Sequence, residues 1–167
     1  MIELKKVAVV FLAFALLILF SAVPVMAKTE KVLAAISVTP TDYVYGRAWD
    51  TKGGVFQERG SALTFEILDL SIGGYHHSGV LGVVLSDMLN FKTLIWVGHF
   101  DVVLTLDGST DNGFVGNWEM KQNLNDNTYA AHCVLQGFGV YDRQTLFFAY
   151  DGPQGFPAEW TGYCLKG

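Results

Sequence analysis

The sequence predicts an all-β fold: a small, closed antiparallel barrel of about eight strands, preceded by an N-terminal signal or anchor helix. Three observations carry this reading. Turn signals recur roughly every ten residues between short runs rich in Val, Thr, Phe, Tyr and Trp. Those runs alternate apolar and polar side chains, the period of a strand with one wet face. Glycines also stand inside the runs, at Gly46, Gly82, Gly98, Gly116, Gly137, Gly139 and Gly162. There they weaken a flat strand but permit the bends that close a small barrel. A β-sandwich is the alternative.

The first element is residues 1–27. Lys5 and Lys6 precede an apolar run from Val7 to Phe20, which Ser21 and Pro24 break before Val25-Met26-Ala27. A charged start, an apolar centre and small residues at a cut site are the layout of a secretory signal peptide. Residues 7–27 are also about long enough to span a bilayer, so an uncleaved anchor is the alternative. Either way the expectation is a secreted or extracytoplasmic domain, membrane-attached only if the segment stays. Residues 28–167 then form one domain, long enough to bury its own core. Loss of Lys5, Lys6 and Glu3 takes the formal charge from −5 to −6. A mildly acidic domain with scattered Lys and Arg offers no footprint for nucleic acid.

Within the domain, Val32–Val38, Tyr43–Trp49, Ala62–Leu70 and Gly79–Leu85 read as strands, with one helical turn at Ser86–Asn90. Trp96–Leu106 follows, then a loop from Asp107-Gly108 to Asn112-Gly113, dipeptides that supply the positive φ of hairpin turns. Phe114–Gln122, Tyr129–Phe138, Gln144–Tyr150 and Trp160–Leu165 complete the set, with a Pro- and Gly-bearing loop at Asp151–Glu159. From Trp96 onward the short connections make an antiparallel meander.

The two cysteines, Cys133 and Cys164, form an even pair, and in an exported domain the default for such a pair is a disulfide. It would close a loop of about 30 residues and stabilise by about 3.5 kcal/mol. In a plain meander, however, the strand Gln144–Tyr150 lies between them, and two strand spacings of about 4.8 Å exceed the usual span. The bond therefore requires a strand order or a curled rim that brings the two ends together.

Gly137-Phe-Gly139-Val-Tyr141-Asp-Arg-Gln144-Thr-Leu146, followed by Trp160-Thr-Gly162-Tyr163, resembles the closing strands of small secreted β-barrel proteins of unassigned function. It is also loosely similar to barrels of the allene oxide cyclase and dirigent type. The resemblance covers roughly the last third of the chain and rests mostly on glycine and turn chemistry. It implies a barrel with an apolar interior, leaves open whether that interior holds a ligand, and carries over no catalytic residue.

No nucleophile elbow, phosphate loop or cofactor motif is present in the chain. Glu66 and Asp69 share an apolar strand, and alternation puts them on opposite faces. Glu66 and Asp101 are the acids to inspect for a place inside the barrel, where burial would shift a carboxyl. His99, Asp101 and His132 are the residues from which a metal site could be assembled, against the plainer reading of a polar row on the outer wall. His76-His77 lies in a Gly- and Ser-rich loop and reads as mobile and exposed. Asp107–Gly113 places oxygen donors at alternate positions, as calcium loops do, but lacks the glycine and the bidentate glutamate of that motif.

Aromatic residues are spread over nearly every strand. Trp96, Phe100, Phe114 and Trp118 are the candidates for lining an apolar ligand site, against core filling. Tyr43, Tyr45, Arg47 and Trp49 fall on one strand face, an aromatic and cationic stripe suited to a surface partner. The leading expectation is an exported, non-enzymatic barrel that binds an apolar small molecule or a surface partner. The alternatives are a barrel-interior cyclase or isomerase acting on an apolar substrate, and a structural cell-envelope protein.

Overall fold

The computed structural model of the chain describes residues 29–153 and 158–167. The expected signal segment, 1–27, and residues 154–157 of the expected Asp151–Glu159 loop lie outside the described residues. The described residues form nine strands: β1 (Glu30–Val44), β2 (Arg47–Thr51), β3 (Val55–Ile72), β4 (Tyr75–Asn90), β5 (Ile95–Leu106), β6 (Ser109–Asn123), β7 (Thr128–Phe138), β8 (Gln144–Pro153) and β9 (Ala158–Lys166). There is no α-helix among them, only one 3₁₀ turn at Gly139–Tyr141.

All nine strands belong to one antiparallel sheet in the order β1-β9-β8-β7-β6-β5-β4-β3-β2. A further pairing of β1 with β3 closes eight of them into a barrel, with β2 as an extra strand on β3. Closure along Ala34–Val44 and Ile72–Ala62 leaves no second sheet, so the sandwich alternative is set aside.

The strands are longer than the local signals suggest, and the turns are tighter. Ser86–Asn90 continues β4 instead of forming a helical turn, because each residue from Ser86 to Asn90 has a partner on β5. Tyr43–Trp49 breaks at Tyr45-Gly46 into the end of β1 and the start of β2. Asp107 and Gly108 alone make the β5–β6 turn, both at positive φ, and the chain is back in β6 by Ser109. The oxygen-donor spacing of Asp107–Gly113 is therefore that of a strand, not of a cation loop. His76 and His77 likewise lie in β4, after a two-residue turn at Gly73-Gly74. His76 pairs with Asp69 and His77 with Asp107, each at 2.9 Å, so the expected mobile loop is a tied-down hairpin.

β3 carries two bulges, one between Arg59 and Ser61 and one between Ile67 and Leu70. A bulge adds a residue to one strand and reverses which face its side chains take. Phe65 and Ile67 are buried, and so are Leu70 and Ile72 beyond the second bulge. The extra residue turns Leu68 and Asp69 outward together, so Glu66 and Asp69 share the outer side instead of taking opposite faces. At the first bulge Gly60 takes φ +72, where glycine carries no steric penalty. Ser61 and Glu58, three positions apart, then both point into the barrel and are 0 % and 8 % exposed.

The end bearing the β3–β4 and β5–β6 turns is packed solid. Leu70, Leu104, Phe114 and Leu146 are fully buried there, and each such side chain contributes about 1.5–3 kcal/mol through burial. Tyr141 closes this floor. Its ring packs 5.0 Å from Phe114 and meets His77 edge-on at 5.7 Å, and its hydroxyl lies 3.3 Å from His77 Nδ1.

The disulfide expectation is overturned: Cys133 and Cys164 are free and buried. Cys133 on β7 faces Phe148 on β8, whereas Cys164 on β9 faces Leu146. β8 thus separates them, and they are offset by two residues along it. Burial pushes the Cys133 thiol up to about 12 and raises that of Cys164 as well. The intact mass is expected to be the same with and without reductant. Iodoacetamide is expected to label neither thiol until denaturant is added. A mass gain on reduction would contradict this arrangement.

Candidate functional site

The opposite end of the barrel is open inside. Inward positions of β1, β3, β4, β5, β6, β7, β8 and β9 enclose a cavity of about 140 Å³. Its wall includes Val38, Leu63, Phe65, Leu85, Trp96, Phe100, Trp118, Met120, Tyr129, Tyr150, Ala158 and Trp160. Each comes from the face that strand alternation turns inward, and this produces the aromatic lining. In this wall Trp118 is edge-on to Phe100 at 5.3 Å and to Trp160 at 4.8 Å. Tyr150 stacks on Trp160 at 6.2 Å and meets Tyr129 at 5.8 Å. These rings hold one another in edge and offset contacts, each worth about 0.5–1.5 kcal/mol beyond burial. Larger hollows of about 350 to 430 Å³ lie along the outer wall. They are open grooves of strand surface without enclosing walls, and the interior cavity is the better candidate.

Two carboxylates lie beside this cavity without being part of its wall, Asp87 next to the wall residue Trp96. Asp87 follows Leu85 on the inward face of β4, and Glu58 is its direct cross-strand partner on β3. They are 7 % and 8 % exposed. Glu58 accepts hydrogen bonds from the hydroxyls of Tyr43 and Ser61. Ser61 in turn accepts from the Gly46 N–H at 2.8 Å, which ties the β1–β2 turn to Glu58. Burial and the neighbouring Glu58 raise the Tyr43 phenol.

Asp87 is less well served. Its Oδ1 accepts no hydrogen bond. The Trp96 indole N–H lies near enough to favour the ionised form, without reaching hydrogen-bond geometry. Burial first, and the charge of Glu58 second, push the Asp87 carboxyl from its ordinary 3.8 up to about 6. The Trp118 indole N–H, turned toward Tyr129, also lacks a hydrogen bond. No lysine, arginine or histidine pairs with Glu58 or Asp87 among the described residues.

Of the aromatic candidates read from the sequence, Trp96, Phe100 and Trp118 line the cavity. Phe114 does not; it is on the same face of β6 but lies at the floor, under Tyr141. Glu66 and Asp101 are both on the outer wall, exposed to solvent, so neither is an interior acid. Glu66 stands opposite Val80, and Asp101 opposite Val84 and Asn117. His99 and His132 are also on the outer wall, and the residue between them is Glu119, at 3.4 and 3.3 Å. Asp101 is two positions along from that row, and no group of three metal-ligating side chains is gathered among the described residues. His99, Glu119 and His132 form a polar row on the outer wall. Tyr43 and Tyr45 meet edge-on at 4.8 Å, and Arg47 and Arg59 lie over Trp49 at 5.4 and 5.9 Å. The expected single stripe is therefore divided: Tyr43 lies near the end of β1 and donates to Glu58, Tyr45 lies in the turn, and Arg47 and Trp49 belong to β2 beside Arg59 of β3.

The pair that sequence reasoning missed is Glu58 and Asp87. Glu58 sits in a stretch read as a separator, and Asp87 in one read as a helical turn. A glycine inside a strand is the cue for a bulge. Gly60, taken that way, would have put Glu58 on the inner face. Comparison of the chain with protein-family models, with curated proteins and with solved structures finds no match.

Proposed function

We propose that the domain is a small-molecule-binding barrel, whose ligand enters the open end and places an apolar ring among Trp96, Phe100, Trp118, Tyr150 and Trp160. The observation that carries this reading is the aromatic-lined cavity of about 140 Å³ inside the open end of the barrel. An apolar cavity of about 150 Å³ is large enough to take up benzene, so one ring with a short chain reaching the rim suits the space. The reading is non-enzymatic. With the export segment read from the sequence, it describes a barrel that meets its ligand outside the cytoplasm.

The test is titration with 4-propylphenol, followed by ligand-observed NMR and by tryptophan fluorescence. Saturable binding that raises the thermal midpoint is expected. The variant Leu63→Trp, which fills the cavity with a larger ring, is expected to lose the binding while staying folded. Absence of binding to the wild type would sink the reading.

A second reading, an interior cyclase or isomerase, is favoured by one observation. Asp87, beside the wall residue Trp96 and with its carboxyl raised to about 6, is the candidate general base. In that reading it takes the role that Glu66 and Asp101 cannot. Chemical change in a bound ligand with the wild type, absent with Asp87→Asn, would support it over simple binding.

A further inference from the structure

We infer that the cavity is built for an organic cation: an amine-bearing aromatic molecule whose ammonium group meets Asp87 and Glu58 while its ring enters the aromatic cavity. This rests on the binding reading above and adds the chemical class of the ligand.

Three observations converge on it. Asp87 and Glu58 are two carboxylates on adjacent strands, directly opposite each other and nearly buried, with no cation paired to them among the described residues. Burying like charges side by side is unfavourable unless a counter-charge is supplied. Glu58 already accepts from two hydroxyls, but Asp87 Oδ1 has an open acceptor position, which an ammonium N–H fills.

The cavity wall supplies the second observation. Trp96, Trp118, Trp160, Tyr129 and Tyr150 present aromatic rings to the same space. Ring faces attract a cation, most strongly where water is excluded. The carboxylate pair and the aromatic rings both select positive charge and reject an anion.

The third is an orphan donor. The indole N–H of Trp118, which is 8 % exposed, lacks a hydrogen bond, whereas that of Trp96 is turned to Asp87. A buried donor without a partner is unfavourable. An oxygen on the ligand's ring satisfies such a donor, so the fitting molecule carries an ammonium for the carboxylates and an oxygen acceptor on its ring. Tyramine has both, and 4-propylphenol has the same shape without the charge.

The experiment compares tyramine, 4-propylphenol and 3-(4-hydroxyphenyl)propanoate against the full chain at pH 7 by calorimetry. Tyramine is expected to bind about tenfold or more tightly than 4-propylphenol, and the propanoate more weakly than either. Asp87→Asn is expected to bring tyramine down to the level of 4-propylphenol and to leave 4-propylphenol unchanged. Glu58→Gln provides a second variant should Asp87→Asn lose its near-ultraviolet circular dichroism. Equal binding of tyramine and 4-propylphenol to the wild type would overturn the cation proposal and leave cavity binding standing. A tyramine preference that survives both substitutions would also overturn it. Failure of all three molecules to bind would overturn both readings.

Discussion

Asp87→Asn is expected to make the ligand-free protein more stable at pH 7, not less. The wild-type carboxyl is raised from 3.8 to about 6 on folding. Below pH 4 both the folded and unfolded chains carry the proton and the site imposes no penalty. Between about 4 and 6 the unfolded chain ionises first, so stability falls as pH rises. Above 6 the folded protein holds the full cost of a buried charge beside Glu58. The whole shift corresponds to about 3 kcal/mol, and the closeness of the site to solvent reduces this to roughly 1–2 kcal/mol. Asparagine keeps the shape, removes the charge and offers Glu58 an N–H donor. Urea unfolding at pH 7 and at pH 4 measures both halves of the expectation: a gain at pH 7 that shrinks toward zero at pH 4. A loss of stability at pH 7 would mean that Asp87 already has an internal counter-charge.

Gly162→Ala is expected to cost roughly 3 kcal/mol or more, or to prevent folding. A Cβ at position 162 would lie 1.7 Å from the backbone carbonyl oxygen of Phe147, and 2.9 Å from the Phe148 Cα. Both obstacles are backbone atoms of β8, so no rotamer change relieves the clash. β8 and β9 are paired at this point, and the barrel curls through the contact. Gly82→Ala serves as the control. It is also a strand glycine, but its nearest obstacle is the Val103 carbonyl oxygen at 3.8 Å, an ordinary contact. Thermal unfolding by circular dichroism compares the two. Equal, small effects would mean that the sheet can flatten at β8–β9 without loss, and that glycine there is incidental.

How far the sequence reaches is seen best on β3. The alternation of Phe65, Ile67 and their neighbours specifies a half-buried strand from local chemistry alone. It cannot carry past Gly60 or past Leu68-Asp69, because a bulge adds one residue and reverses the faces of everything beyond it. Glu58 is hidden for that reason, and for the same one Glu66 and Asp69, which alternation puts on opposite faces, share the outer wall. Asp87 is hidden differently. Ser86–Asn90 has weak strand character by itself and becomes strand only because β3 and β5 supply partners on either side. The cysteines show the converse limit, since their pairing depends on how many strands separate them.

The sequence by itself determined the all-β class, the meander from Trp96 onward, and the inward faces that carry Trp96, Phe100 and Trp118. Those follow from a two-residue period and from turn dipeptides, which act over a few bonds. Tertiary structure alone decided the closure of β1 on β3, the filling of one barrel end and not the other, and the meeting of Glu58 with Asp87. These are contacts between residues far apart in the chain, and their outcome turns on register and bulges. A single residue of offset decides whether a carboxylate faces water or the cavity.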